Sequence, residues 1–157
     1  LAVSGFLPVG YYKDPEKTAA TFPVIEGVRY SIAGDYATVE ADGTITLLGR
    51  GSVCINTGGE KVFPEEVEEV LKQHDKVIDA ACVGGPDQRF GNAITALVEA
   101  SDDVLEAELI LHVKSQLAAY KAPKRILFVD SVGRSPSAKL DYKALREEAL
   151  RQLERPL

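Results

Sequence analysis

Residues 49–68 read GRGSVCINTGGEKVFPEEVE, in which a glycine-rich loop meets the start of a helix. Glycine adopts positive φ angles freely and allows a ligand to approach the backbone, so Gly58 and Gly59 predict a loop built for close contact or for movement. Pro64 and the glutamates after it are typical of a helix N-terminus. The pattern of the chain changes here, because strand-like segments precede the loop and alternating helices and strands follow it.

The segment before the loop predicts β-structure with one hairpin. Strand-like runs occupy residues 28–32, 36–39 and 44–48, and the Asp42-Gly43 pair between the last two is a strong signal for a tight turn. Residues 1–22 mix glycine, proline and aromatic side chains without a sustained period. They predict irregular structure, with at most a short turn of helix at its end.

The segment after the loop predicts the order helix, strand, strand, helix, strand, helix. Asp103 and Glu106 resemble a capping box for the second helix, and Gly84-Gly85-Pro86 is expected to end the first strand. This order favours an α+β fold, a small three-stranded sheet with packed helices, preceded by the separate hairpin unit. The predicted helices begin at residues 64, 103 and 141, and the predicted strands are 77–83, 94–98 and 125–129.

The composition restricts the classes of function. The 157 residues carry a formal charge of −6, which argues against a nucleic-acid partner because phosphate binding needs a cationic face. No run approaches the roughly 18 apolar residues of a membrane span and no leader is recognisable, so we expect no transmembrane segment and a cytoplasmic location. The chain starts at Leu1 and has no methionine, which we interpret as a piece of a longer polypeptide.

Neither the cysteines nor the histidines predict a site. Cys54 and Cys82 are too few and too far apart for a disulfide framework or a zinc site, and we expect both to be small core residues. His74 and His112 have no evident nucleophile or metal partner in the sequence. A hydrolytic triad and a metal centre are therefore not predicted.

Three features are candidates for chemistry, and each has a plainer alternative. The loop at Gly59 is not a phosphate-binding P-loop, because Glu60 separates the glycine from Lys61, and taken alone it is more simply a turn between a strand and a helix. Asp35 at a strand end could accept both hydroxyls of a ribose, or simply cap a turn. Lys139 lies in a Ser/Pro loop ahead of a helix. It is either a movable cation held out for chemistry or an ordinary surface lysine.

Taken together, five motifs resemble those of the adenylate-forming superfamily, which includes acyl-CoA synthetases, peptide-synthetase adenylation domains and luciferases. Residues 49–62, GRGSVCINTGGEKV, resemble the hinge motif G-R-x-x-D-x-I-K-x-x-G-x-x-I. Residues 10–18, GYYKDPEKT, and 33–35, AGD, resemble the signatures G-Y-x-x-x-P-x-x-T and T-G-D. Residues 120–124, YKAPK, and 134–143, RSPSAKLDYK, resemble the last two motifs of the superfamily. The matches cover nearly the whole chain.

The resemblance implies a C-terminal part of such an enzyme, and residues 58–68 are most similar to fatty-acid-CoA ligases. Residues 1–50 would be the end of the large adenylation domain and 51–157 the small lid domain, whose partner is the enzyme's own N-terminal adenylation domain. The superfamily joins a small-molecule carboxylic acid to CoA with ATP and Mg²⁺. The carboxylate first displaces pyrophosphate from ATP, and the CoA thiol then displaces AMP.

The resemblance also assigns roles to individual positions. Lys139 matches the lysine that bridges the carboxylate and the α-phosphate during adenylation. Asp35 matches the carboxylate that holds the ribose hydroxyls, and Arg50 matches an arginine that reaches the nucleotide. Ser52 matches the hinge about which the lid rotates, a motion that brings Gly58 and Gly59 to the tunnel for the pantetheine arm of CoA.

Several positions depart from the superfamily pattern. Ser52 stands where Asp or Lys is usual, and Val53 and Asn56 replace a charged Asp and Lys, which puts a second-step cation there in doubt. Ala33 replaces the Thr of T-G-D, and Ala138 replaces the usual Gly before the lysine. Two alternatives stay open: a lid that loads a carrier protein instead of CoA, and a non-catalytic interaction module. The acyl substrate would be determined by a pocket outside this sequence.

Overall fold

The computed structural model describes residues 1–101 and 103–153, and the chain divides into two units, Leu1–Ser52 and Val53–Leu157. The predicted lid domain, 51–157, thus ends with four residues outside the described part. The first unit contains six elements: β1 (Val3–Ser4), α1 (Pro15–Thr21), β2 (Val24–Ile25), β3 (Val28–Ser31), β4 (Asp35–Val39) and β5 (Ile45–Arg50).

The first unit is built from short antiparallel strands. The order of its small sheet is β1-β3-β2, and β4 pairs with β5 as the predicted hairpin. Asp42 fixes the hairpin turn, because its carboxylate accepts hydrogen bonds from the backbone N–H and the hydroxyl of Thr44. The opening segment is more regular than expected. Asp14 caps α1 through the backbone N–H of Lys17, and Pro15 occupies the first helical turn.

The second unit confirms the predicted α+β fold. Its three-stranded sheet has the order β10 (Arg125–Phe128), β9 (Gly91–Ala100), β8 (Val77–Asp87). Strands β8 and β9 are antiparallel and β9 and β10 are parallel, so the helix between β9 and β10 forms the crossover. The elements are β6 (Ile55–Thr57), β7 (Glu60–Val62), α2 (Pro64–Lys72), β8 (Val77–Asp87), β9 (Gly91–Ala100), α3 (Glu106–Gln116), β10 (Arg125–Phe128) and α4 (Tyr142–Leu153).

Helices cover both faces of this sheet, because alternate residues of a strand point to opposite sides. Cys82 belongs to the cluster formed with α2 and α3, where Leu71 and Leu109 have no exposed surface. Its neighbour Ala81 belongs to the other cluster, which includes Leu145 of α4. Burial of a leucine contributes about 1.5–3 kcal/mol, so the two clusters hold the domain together.

Two predicted boundaries are wrong. Strand β8 continues through Gly84-Gly85-Pro86 to Asp87, since it is an edge strand, where a proline need not donate to a neighbouring strand. The capping box is also absent: Leu105 precedes α3 without a side-chain cap, and the Glu106 carboxylate accepts the N–H of Ile126 instead. Of the two cysteines, Cys82 is buried as expected and Cys54 is only half-buried.

Candidate functional site

Asp35 and Arg50 meet in the first unit. They are the first residue of β4 and the last residue of β5, and the antiparallel register places them opposite each other. The Nε of Arg50 lies 3.2 Å from Oδ1 of Asp35. An ionised carboxylate has about four acceptor positions and this ion pair uses one of them. The arrangement can therefore hold further hydroxyl donors while the arginine fixes the carboxylate.

Ser52 lies in a 3₁₀ turn, Gly51–Val53, and is the last residue of the first unit. Gly51 is tied to the first unit, because its N–H donates to the carbonyl of Gly34 at 3.1 Å. A Cβ at Gly51 would come within 2.5 Å of the Tyr36 ring, so a larger residue here would have to displace that ring. The exposed Ser52 is thus the first position after a backbone that is held firmly.

Gly58 and Gly59 form the two-residue turn of the hairpin between β6 and β7, so the alternative of a turn between a strand and a helix is wrong. Their φ angles of +58° and +91° are typical of the turn that suits the twist of a hairpin. The N–H of Gly58 donates to the carbonyl of Phe90 at 3.1 Å. A Cβ at Gly58 would lie 2.8 Å from the Phe90 ring, whereas nothing lies within 4 Å of one at Gly59.

Phe90 is itself fixed in the turn between β8 and β9. The Asp87 carboxylate accepts the N–H groups of Arg89 and Phe90, both at 2.9 Å. The Nζ of Lys124 lies 3.9 Å from the centre of the Phe90 ring, in a cation–π contact. A mainly apolar cavity of about 530 Å³ opens beside this arrangement, with Tyr120 in its lining. The glycine turn is therefore supported by a rigid neighbour.

Lys139 is exposed, in the loop between β10 and α4. The loop closes on itself, because the N–H of Ser135 donates to the carbonyl of Lys139 at 2.9 Å and the N–H of Lys139 donates to Oγ of Ser135 at 3.0 Å. Ala138 adopts a φ of +60°, a left-handed conformation that costs a residue with a Cβ about 1–2 kcal/mol. The backbone is thus fixed while the ammonium group faces outward.

Arg134 ties this loop to the sheet. Its Nε and Nη2 donate to the two carboxylate oxygens of Asp79 on β8, at 2.7 and 2.8 Å. Nη1 donates to the carbonyl of Ala138 and Nη2 to that of Ala80, both at 3.3 Å. The hydrogen bonds from Arg134 hold the pKa of Asp79 below its usual value, so the pair stays ionised at neutral pH.

A buried carboxyl ties the other side of the loop. Glu68 of α2 is only 3% exposed and accepts the N–H of Cys82 at 2.8 Å. The hydroxyl of Tyr142, the first residue of α4, lies 3.1 and 3.2 Å from its two oxygens. Burial raises the pKa of Glu68 to about 7 and also raises the pKa of Tyr142. The segment that carries Lys139 is therefore anchored at both ends.

A family profile described as the AMP-binding enzyme C-terminal domain matches residues 66–139. The match covers a little under half of the chain, so this part of it is similar to that family. The chain is 54% identical over 150 residues to 3-oxocholest-4-en-26-oate–CoA ligase of Rhodococcus rhodochrous, and the match covers 94% of the chain. It is 55% identical to medium/long-chain-fatty-acid–CoA/3-oxocholest-4-en-26-oate–CoA ligase of Mycobacterium tuberculosis, over the same share of the chain. The chain spans 27% of the length of each of these relatives.

The structure is also similar to solved ones. o-Succinylbenzoate CoA synthetase (MenE) from Bacillus subtilis, in complex with the acyl-adenylate intermediate OSB-AMP, superposes with a TM-score of 0.75 at 30% identity. The superposition covers 95% of this chain and 28% of that one. This enzyme is an adenylate-forming one, in agreement with the superfamily that the motifs predict.

The motifs identify Lys139 as a candidate, but the contacts that fix its loop join residues far apart in the sequence. Asp79 is an acidic residue within an apolar strand, which is a signal of a partner, but the partner Arg134 lies 55 residues further along. Glu68 shares a helix face with Val67 and Leu71, and a charged residue there is a signal that a buried donor faces it. Among residues 1–101 and 103–153, no group of three His, Cys, Asp or Glu side chains suits a metal ion, and no helix is long and apolar enough to cross a membrane.

Proposed function

We propose that this chain is the hinge and lid of an ATP-dependent, AMP-forming acyl-CoA ligase. The observation that carries the proposal is an exposed Lys139 on a loop whose backbone is fixed at Ser135 and at Ala138. The names of the relatives, all CoA ligases at 54–55% identity, support it. Because the chain spans only about a quarter of those relatives, the activity of the whole protein is part of the proposal.

In the first step, an anionic carboxylate must approach an anionic phosphate. Lys139 supplies the cation that both anions need, and a positioned donor of this kind is worth about 100-fold or more in rate. Asp35 accepts the ribose hydroxyls of ATP, since a carboxylate is an acceptor only, and Arg50 keeps that carboxylate in place beside the nucleotide. The lid thus supplies the charge, and the first unit supplies the nucleotide contacts.

In the second step, the lid rotates about Ser52 and the glycine turn replaces Lys139 at the active centre. Gly58 and Gly59 then form the wall along which the pantetheine arm of CoA passes. Neither residue has a side chain, so a narrow passage stays open, and the positive φ angles exclude most other residues. Rotation of one rigid lid allows a single active centre to perform both reactions.

The proposal includes the ligands and the partner. ATP brings Mg²⁺ on its phosphates, CoA is the second substrate, and the large adenylation domain of the same protein holds most of each. The acid has a long apolar portion, a class suggested by the fatty-acid and oxocholestenoate ligases among the relatives. A cytoplasmic location, no nucleic-acid partner and a domain boundary near residue 50 stay predictions.

Lys139→Ala in the full-length protein tests the proposal. Acyl-adenylate formation, followed by pyrophosphate release, should fall about 100-fold, while transfer from a preformed acyl-adenylate to CoA should change little. Lys143→Ala is a matched control, because it removes another exposed lysine four residues away and should leave both steps intact. Unchanged adenylation in Lys139→Ala would refute the assigned role. Transfer to a carrier-protein thiol in place of CoA would support the peptide-synthetase alternative.

A further inference from the structure

The loop that presents Lys139 depends on a contact with a distant strand. Arg134 uses Nε, Nη1 and Nη2 as donors, and these reach Asp79, Ala80 and Ala138. The first two acceptors belong to β8, and the third belongs to the loop itself. The guanidinium therefore bridges the sheet and the loop.

The contact with Ala138 fixes the residue that follows it. The carbonyl of Ala138 belongs to the peptide unit that enters Lys139, so a hydrogen bond to it restrains the plane that contains the Cα of Lys139. Ala138 has a φ of +60°, a conformation that persists only where the surroundings impose it. The bonds within the loop close the ring between Ser135 and Lys139, and Arg134 sets the orientation of that ring relative to β8.

Arg134 is poorly suited to bind an anionic substrate itself. The Asp79 carboxylate engages it through two charge-assisted bonds, a geometry that fixes the guanidinium plane and neutralises its charge. Both side chains are more than half buried, with exposed fractions of 27% for Arg134 and 18% for Asp79. This leaves Lys139 as the cation that the loop presents.

We propose that Arg134, held by Asp79, is the positioning residue for Lys139 in the adenylation step. The inference rests on the proposed function and adds a residue to it. It requires that loss of the bridge slow adenylation selectively, because the lysine is then present but misdirected. A misplacement of about 1 Å is sufficient to cost about 100-fold in such a step.

Arg134→Lys in the full-length enzyme is the principal test, since lysine keeps the charge beside Asp79 but cannot form the bidentate fork and reach Ala138 as well. Adenylation should fall at least about tenfold, and thioester formation from preformed acyl-adenylate should stay within about twofold. Arg146→Lys is the matched control. Arg146 also donates to a β8 carbonyl, that of Gly84 at 2.9 Å, and its replacement should leave both steps unchanged.

A double variant separates positioning from general stability. If Arg134 acts through the lysine, Arg134→Lys combined with Lys139→Ala should be no slower in adenylation than Lys139→Ala alone. Three results would each overturn the inference. They are a double variant whose adenylation loss is the product of the two single losses, an Arg134→Lys variant that loses both half-reactions equally, and an Arg134→Lys variant with normal adenylation. If Arg134→Lys is too unstable to assay, Asp79→Asn tests the same bridge from β8, with the same selective loss expected and normal adenylation again overturning it. Normal adenylation in Lys139→Ala would instead refute the proposed function and the inference together.

Discussion

Glu68→Gln should stabilise the domain at neutral and alkaline pH. The carboxyl is buried between α2, β8 and α4, where it accepts hydrogen bonds from Cys82 and Tyr142. Burial is the main cause of its raised pKa, and the charge of Glu65 adds to it, whereas the two hydrogen bonds and the charge of Arg134 oppose it. A glutamine carbonyl can accept the same bonds without a charge. The substitution therefore keeps the contacts and removes the cost of burying an anion.

The sign and the size of this change in stability follow from the pKa of Glu68 in the folded and unfolded states. The folded pKa is about 7 against a usual 4.5, so the carboxyl is protonated in both states below pH 4.5 and ionised in both above pH 7. Stability is lost as the pH rises through this window, because the folded state resists ionisation. The difference of about 2.5 pH units corresponds to about 3 kcal/mol at about 1.4 kcal/mol per unit. That is a large part of the 5–15 kcal/mol typical of a domain.

Urea unfolding of the wild type and of Glu68→Gln, at several pH values from 4.5 to 8, measures this effect. The free-energy difference between the two proteins should grow by about 3 kcal/mol across the range, in favour of the variant at pH 8. Other carboxylates titrate in both proteins and cancel in the difference. A difference that does not change with pH, or a wild type that is the more stable protein at pH 8, would refute the reasoning.

Three further substitutions test the loops and the hinge. Ala138→Gly should raise the free energy of unfolding by about 0.5 kcal/mol in thermal or urea unfolding, because relief of left-handed strain exceeds the added entropy of glycine; a loss of stability would contradict this. Gly58→Ala should destabilise the chain by about 1 kcal/mol more than Gly59→Ala, since only the Cβ at position 58 would meet Phe90. In a Phe90→Ala background the two substitutions should cost the same, whereas equal costs in the wild type would count against the contact. Ser52→Pro, which fixes φ near −65°, should spare adenylation and impair thioester formation in the full-length enzyme, and equal loss of both steps would argue against a hinge.

Local patterns in the sequence were sufficient for the elements. Helix α2 follows from Pro64 at its start and from Val67, Val70 and Leu71 on one face, and the structure places all four in the core. The hairpin of β4 and β5 follows from Asp42-Gly43 in the same way. Such features depend on residues within a few positions of one another, so they can be predicted from a single sequence.

Features that depend on distant partners could not be predicted. Strand β8 extends past Pro86 because it lies at a sheet edge, a position that only the assembled sheet defines. Asp103, expected to cap α3, instead has its Oδ2 3.4 Å from the Nζ of Lys76. The role of Arg134 depends in the same way on Asp79, which no local period connects to it. The catalytic candidates were recognisable by motif, and Arg134 stands in the same motif as Lys139, but its contact with Asp79 was not recognisable from the sequence.

The Lys139 loop and the glycine turn are both anchored to one strand of the second unit. The Lys139 loop is held at Asp79, near the start of β8, and the glycine turn rests on Phe90, whose position is set by Asp87 at the end of β8. The two anchors are eight residues apart, about 26 Å at about 3.3 Å per residue. The sheet that contains this strand is packed between helices, so the spacing of the two anchors is fixed. If both half-reactions use one active centre, the whole lid must turn between them. Substitutions at one anchor should then leave the other half-reaction intact.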